Sequence, residues 1–384
     1  MRILMTLPWG ENLGGAEQQL QVILDGMDET PHEIEPVFFA HGPWPKQLEE
    51  AGFRVEVVDA GRLRQLHTWA ATVWRLRNIM RERQPDLIVN WSAKTQLYGA
   101  PAAILAGMTD RNIWWQQAIT EPHVVVDRLA TLLPAQAIGC NSETGAKAQQ
   151  RLRPHRPTMV WYAGTAMPEP GPPQPPPLQR PEGVPLVGLV GRLQPWKGQD
   201  QLLRAQAILR DRGRPMHLVL VGGDSYELSH EYAQSLTPLA DSLGLKDSVT
   251  MTGEVPDAGP YMEQMDILVN ASDPEPFGNV IVEGMARKVP VVAVNSGGPG
   301  EYLDNDRTAM LAATNRPEDL ADALEPLLAS ESKRAELAVA GHELFMREFT
   351  EVAMRRRWFE CLESVRDGRP RGVPLGAAQP ATTS

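Results

Sequence analysis

Two glutamates eight residues apart, Glu275 and Glu283, bracket the stretch Glu-Pro-Phe-Gly-Asn-Val-Ile-Val-Glu. The apolar run 266–270 precedes it and a second, 290–294, follows, so the order reads strand, loop, helix, strand. Glu275 falls in the loop, where its carboxylate is free to accept hydrogen bonds from hydroxyl groups. The backbone N–H groups near Phe277, Gly278 and Asn279 would open the helix and face an anion such as a diphosphate. Glu283, two turns further on, can accept from both hydroxyls of a ribose. Such a constellation can grip a sugar nucleotide from three sides.

Fixed positive charge is the second requirement of that chemistry. Arg192 and Lys197 lie five residues apart and flank a strand-to-helix turn after the apolar run 187–190. Open α/β sheets bind ligands at that end of a strand. An arginine can hold a phosphate through two parallel hydrogen bonds, and a lysine adds a point charge. Near the N-terminus, Gly14 and Gly15 stand before a helix that sets Leu20, Ile23, Leu24 and Met27 on one face. Two glycines there allow close approach of backbone to a ligand. Glu17 reads as an ordinary first-turn acid. Asp304-Asn305-Asp306 has a metal-binding form but reads as turn chemistry, and no metal site is assigned.

These motifs, in this order, resemble the family-4 retaining glycosyltransferases of the GT-B fold, over nearly the whole chain. The matching stretches are Arg2-Ile-Leu-Met-Thr6, Gly14-Gly15-Ala16-Glu17, the strand with Gly191-Arg192 and then Lys197-Gly198, the run 218–223, the Glu275/Glu283 segment, and Ser296-Gly-Gly-Pro-Gly-Glu301. The resemblance implies an α/β protein of two Rossmann-like domains with parallel sheets facing across a cleft. It implies sugar transfer from a nucleoside diphosphate sugar, GDP- or UDP-linked, to a small acceptor, with retention of configuration and no cofactor or metal. The sugar nucleotide would be a co-substrate. Attack would be front-face, with the leaving phosphate helping to remove the acceptor proton. Glu275 would orient the sugar and stabilise developing positive charge, with Arg192 and Lys197 on the departing diphosphate. Gly14, Gly15, Phe277, Gly278, Asn279 and Glu283 would complete the donor site.

Three departures from the family pattern stand out. Relatives often carry a histidine where this chain has Gln117, which can bond a hydroxyl but cannot shuttle a proton at neutral pH. His123 is the histidine nearest to that position. Lys288 stands where relatives often have glycine, and Ala163-Gly164-Thr165-Ala166 replaces a common Asn-Gly-Val-Asp.

Eight of the ten tryptophans lie in the first half of the chain. Trp91, Trp115 and Trp9 fall at strand ends, and with Gln117 the first two are the expected acceptor contacts. Aromatic faces suit sugars, flat rings or ammonium groups. This resembles natural-product members of the family, such as those that S-glycosylate the trimethylammonium-bearing thiol ergothioneine in lincosamide biosynthesis. High Ala, Arg, Pro and Gly content fits an actinobacterial source and antibiotic biosynthesis. Six arginines between positions 62 and 83, with Trp69 and Trp74, leave a membrane-associated lipid or polysaccharide glycosyltransferase as an alternative. A GT-B epimerase, an NAD-dependent oxidoreductase and a sugar-nucleotide sensor are the others. The cluster Gly10–Gly15 lacks the G-x-G-x-x-G spacing of a dinucleotide site.

At 384 residues the chain exceeds one ordinary core, so two domains are expected. Strand-like and helix-like runs alternate, the signature of βαβ units. Expected divisions are an acceptor-side domain over 1–166, a proline-rich linker over 167–185, a nucleotide-sugar domain over 186–344, a helix over 345–367 returning to the first domain, and a disordered tail over 368–384. Val352, Trp358 and Leu362 are the expected buried contacts of that helix. A formal charge of −11 argues against a nucleic-acid partner. Two cysteines far apart form no zinc spacing or disulfide framework, which fits a soluble cytoplasmic protein. Membrane association is not the expected state, and the sequence gives no oligomeric state.

Overall fold

A computed structural model describes residues 1–12, 14–61, 63–120, 124–168, 178, 182–224 and 229–376. The chain divides into two compact units, Met1–Ala163 with the segment from Glu351 onward, and Gly164–Thr350.

The first unit is built on seven parallel strands: β1 (Arg2–Leu7), β2 (Glu33–Phe38), β3 (Glu56–Val57), β4 (Leu87–Asn90), β5 (Asn112–Gln116), β6 (Ala137–Cys140) and β7 (Thr158–Val160). Their order is β3-β2-β1-β4-β5-β6-β7, so the direction of winding reverses between β1 and β4. β4, β5 and β6 are buried along their whole length, as expected where helices cover both faces of a sheet. Each parallel step needs a crossover, and six helices supply them, the first being Gly15–Asp25 with Leu20, Ile23 and Leu24 buried.

The helix Glu351–Arg366 belongs to this unit. It buries Trp358, Leu362 and Val365 at 0% exposure, each side chain contributing roughly 1.5–3 kcal/mol. Arg355 pairs with Glu29 at 2.9 Å and donates to the Val22 carbonyl, and its guanidinium fills the space where a Cβ on Gly26 would project. The single helix expected over 345–367 is in fact divided: Glu331–Glu348 ends before Phe349, and Glu351–Arg366 begins after Thr350. Val352 faces away from the core at 62% exposure, because only every third or fourth position of an amphipathic helix can point inward. The tail expected to be disordered packs as far as Val373, whose N–H donates to the Val160 carbonyl at 3.1 Å. Most of the 167–185 stretch, His123 and the tail beyond 376 lie outside the described residues.

The second unit carries six parallel strands: β8 (Leu186–Val190), β9 (His217–Val221), β10 (Val249–Met251), β11 (Ile267–Asn270), β12 (Val291–Val294) and β13 (Met310–Ala312). Their order is β10-β9-β8-β11-β12-β13, reversing between β8 and β11. Leu202, Leu203 and Leu209 of the helix Gln199–Asp211 and Leu320, Leu324 and Leu327 of Pro317–Ala329 share one core with β8, β9 and β11. Among the described residues no helix is long and apolar enough to cross a membrane.

Two arginines of the 62–83 stretch, Arg75 and Arg83, are spent on ion pairs. Arg83 is buried and meets Glu35 at 3.0 Å and Glu56 at 3.2 Å, while Arg75 meets Glu56 at 2.7 Å.

Candidate active site

The site grows from the two loops that leave β8 and β11, the strands between which the second sheet reverses. The first loop begins at Gly191, whose carbonyl lies where a Cβ on Gly222 would stand. Leu193 N–H donates to the Gly223 carbonyl at 2.9 Å, so the loop is fastened to the end of β9. It closes in a short 3-10 turn, Pro195–Lys197, and Gly198 at φ 72° starts the next helix. A Cβ on Gly198 would run into the Ala271 carbonyl, and Asp273 N–H donates to the Trp196 carbonyl at 2.9 Å. The two loops therefore pack backbone to backbone.

Their side chains meet at Glu275, which is 5% exposed. Lys197 Nζ lies 2.9 Å from Glu275 Oε2 and 4.0 Å from the centre of the Trp196 ring. Asn270 Nδ2 donates to the same oxygen at 3.1 Å, and Ser272 donates a further side-chain bond. Burial alone would push the Glu275 carboxyl up; the Lys197 ammonium and the bonds from Lys197, Asn270 and Ser272 outweigh it and hold the group below its ordinary range. Glu275 is thus a fixed negative charge at neutral pH. Asn270 and Ser272 were not singled out from sequence, although an asparagine closing the apolar run 267–270 was the available signal.

Arg192 is half-buried, and its guanidinium has no carboxylate within ion-pair distance among the described residues. Its carbonyl is held at 2.9 Å by Gln199 Nε2, and Gln199 accepts from the Tyr232 hydroxyl at 3.1 Å. A cation left unpaired beside a buried ion pair is an unsatisfied charge that an anionic ligand could complete.

Gly278 takes φ 96° and starts the helix Asn279–Ala286. Phe277 does not face outward. It is 2% exposed and packs between Tyr302 and Phe349, with ring centres 5.5 and 6.0 Å away. Tyr302 donates to the Phe277 carbonyl at 2.8 Å, and Gly298 N–H donates to the Glu275 carbonyl at 2.9 Å. At Gly297, φ 76° and the adjacent Glu275 carbonyl leave no room for a Cβ. The glycine-rich loop after β12 therefore props the Glu275 loop from behind.

Glu283 is half-buried in this helix. Burial raises its carboxyl above the ordinary range; Arg287 opposes the rise and Asp257 adds to it. Arg287 donates to the Glu283 carbonyl at 3.2 Å, which leaves the carboxylate itself without a hydrogen-bond donor among the described residues.

In the first unit Gly14 precedes the helix Gly15–Asp25, and a Cβ there would collide with the Glu17 carboxylate folded over the helix start. Gln117 is half-buried; its Nε2 is enclosed without a partner among the described residues, and its carbonyl accepts from Asn141 at 3.0 Å.

Trp91 and Trp115 are not surface contacts. They are 1% and 0% exposed, stack at 5.9 Å, and meet Trp161 and Trp358 edge-on or tilted at 5.5–6.5 Å. Gly139 makes room, because a Cβ there would strike the Trp115 ring. Their expected acceptor role is corrected to core packing, and the argument for a cationic thiol acceptor goes with it. Of the three tryptophans at strand ends only Trp9 is exposed, at 50%.

Asp304, Asn305 and Asp306 are committed to a turn. Asp304 pairs with Arg307, Asn305 Oδ1 accepts from Leu311 N–H at 2.8 Å, and Asp306 at φ 61° meets Lys333 at 2.9 Å.

Two parallel-stranded units with these loops define a GT-B fold, and the fold's solved representatives agree. The chain superposes on the crystal structure of Anabaena HepE in complex with UDP and glucose with a TM-score of 0.77 and 26% identity, covering 94% of this chain and 99% of that one. Residues 172–343 match the family model of glycosyl transferases, group 1. Curated relatives include the lipopolysaccharide core biosynthesis glycosyltransferase LpsE of Rhizobium meliloti, 31% identical over 49% of this chain and 52% of that protein. The D-inositol 3-phosphate glycosyltransferase of Rhodococcus erythropolis is 38% identical over 40% of this chain and 35% of its own length. The chain spans about half or less of the length of these two relatives.

Proposed function

We propose that this protein transfers a sugar, with retention of configuration, from a nucleoside diphosphate sugar to a small polar acceptor. The observation that carries the reading is the Lys197–Glu275 ion pair, with Arg192, which has no carboxylate partner among the described residues, on the first of the two loops and the start of the helix Asn279–Ala286 after the second. All three stand where the β8 and β11 loops meet. Arg192 and Lys197 supply the positive charge that a departing diphosphate requires. Glu275, kept ionised, accepts from sugar hydroxyls and opposes positive charge developing at the anomeric carbon. Glu283 takes the ribose hydroxyls, whose donors give its bare carboxylate the partners it lacks. In a front-face step the departing phosphate oxygen itself takes the acceptor proton, a step that needs no nucleophile–base pair of side chains. Likeness to HepE with bound UDP favours a UDP-linked donor over a GDP-linked one.

Thermal unfolding of wild type and Glu283→Ala with UDP, GDP, ADP, TDP or NAD tests the reading. A nucleotide at about 100 times its dissociation constant adds roughly 2.7 kcal/mol of stability. The expected result is stabilisation of wild type by one nucleoside diphosphate and loss of that shift in the variant. Stabilisation by NAD alone would refute the proposal.

A further inference from the structure

The first sheet has a reversal point of its own, between β1 and β4, and two side chains meet there that the donor chemistry does not use. Trp9 leaves the end of β1 half-exposed. Lys94 stands in the first turn of the helix Ala93–Ala106 that follows β4, with Nζ 4.6 Å from the Trp9 ring centre. Everything else about Lys94 is unfavourable. A cation in the first turn opposes the helix dipole. Ser92 and Thr95 already satisfy that turn with a reciprocal capping box, at 3.2 and 3.0 Å. Lys94 is half-buried, and no carboxylate reaches ion-pair distance of Nζ among the described residues. Burial lowers the amine below its ordinary range, and the more distant Asp59 raises it only in part. A charge kept under these costs, at the strand ends where open sheets bind ligands, points to a ligand that completes it.

We infer that Trp9 and Lys94 form a subsite for an acceptor ring that carries an anionic substituent, a phosphate or a carboxylate. The ring's C–H face would lie on Trp9. The anion would draw the ammonium away from the indole, exchanging a weak partner for a full charge. This rests on the glycosyltransferase reading and adds to it the chemical class of the acceptor.

The test saturates wild type, Lys94→Met and Trp9→Ala with UDP. Each is then titrated with inorganic phosphate, glucose 6-phosphate, glucuronate and glucose by saturation-transfer and phosphorus NMR. UDP occupies the donor phosphate site, so remaining anion binding reports on this one. Glucose 6-phosphate or glucuronate should bind wild type at least tenfold tighter than glucose, and whichever does so identifies the anion. Lys94→Met should erase that gap, and Trp9→Ala should weaken all sugar probes. Equal binding of anionic and neutral probes, no binding of any, or a gap that survives Lys94→Met would overturn the subsite. Failure of UDP to bind wild type would count against the glycosyltransferase reading instead. The same titration without UDP would then decide the subsite by itself.

Discussion

Replacing Lys197 by methionine isolates the charge balance of the site. Glu275 is 5% exposed and shares its Oε2 between Lys197 at 2.9 Å and Asn270 at 3.1 Å. Removing one partner of a buried ion pair costs about 3–5 kcal/mol, because the other charge stays buried. Asn270 and Ser272 remain as donors to Glu275, which places the expected loss near the lower end, about 3 kcal/mol. A unit the size of Gly164–Thr350 shifts by roughly 2–4 °C per kcal/mol, so the variant should melt about 6–12 °C lower. The loss must also depend on pH, with a definite sign. In wild type the Glu275 carboxyl lies below its ordinary value. Its contribution is therefore full above the unfolded value and is lost as pH falls through the folded one. In Lys197→Met, burial is no longer outweighed and the carboxyl moves up. Its contribution then has the opposite slope, full below the unfolded value and lost as pH rises from there through the folded one. The gap between wild type and variant should be widest near neutral pH and should close towards about pH 4. Urea midpoints across that range measure it. A double variant, Lys197→Met with Glu275→Gln, should recover most of the loss, since it leaves no buried charge. A gap that stays constant with pH, or a double variant as weak as the single, would show that Glu275 is not the charge Lys197 neutralises.

Three further outcomes follow from the geometry. Trp91→Ala should cost about 3–5 kcal/mol in urea unfolding, as for other large-to-small core changes, where an acceptor contact would have cost turnover alone. Glu283→Gln should stabilise the ligand-free protein and abolish the nucleotide-induced shift. With its folded carboxyl raised, Glu283 withdraws stability as pH rises from the unfolded value towards the folded one, so the gain should appear above about pH 5 in paired melts. Lys288→Gly should raise stability by up to about 1 kcal/mol, because Lys288 holds φ 57° at a helix end where glycine escapes the clash between Cβ and carbonyl.

Sheets and loops were legible in the sequence to very different degrees. The alternation of strand-like and helix-like runs was readable, because buried parallel strands such as β4 are apolar along most of their length and the turns between them are polar. Arg192, Lys197, Glu275 and Glu283 could each be singled out, because they stand in short, ordered motifs that follow two neighbouring strands. The bond between Lys197 and Glu275 was not, since 78 residues separate them and only the parallel pairing of β8 with β11 brings their loops together. Trp91 and Trp115 show the same limit in the other direction. A tryptophan near a strand end suits a pocket or a core equally well, and the partner that decides the matter here, Trp358, comes from the last helix of the chain. Gly139 was the local clue, because a glycine inside a buried strand marks the close approach of something large.

Charge placement separates site from scaffold more sharply than motif does. Arg83 and Arg355 are buried, at 6% and 7% exposure, and each finds a carboxylate at about 3 Å or less, which identifies them as structural. Among the described residues Arg192 and Lys94, both half-buried, find none, and Glu283 keeps a carboxylate without a donor in surroundings that penalise its charge. A chain that pairs Arg83 and Arg355 had the means to pair these as well. Their isolation is confined to loops and helices that leave the central strands β4, β8 and β11, the strands beside which each sheet reverses its winding. Stability would favour pairing at those positions; the binding of a charged ligand requires that they be left open.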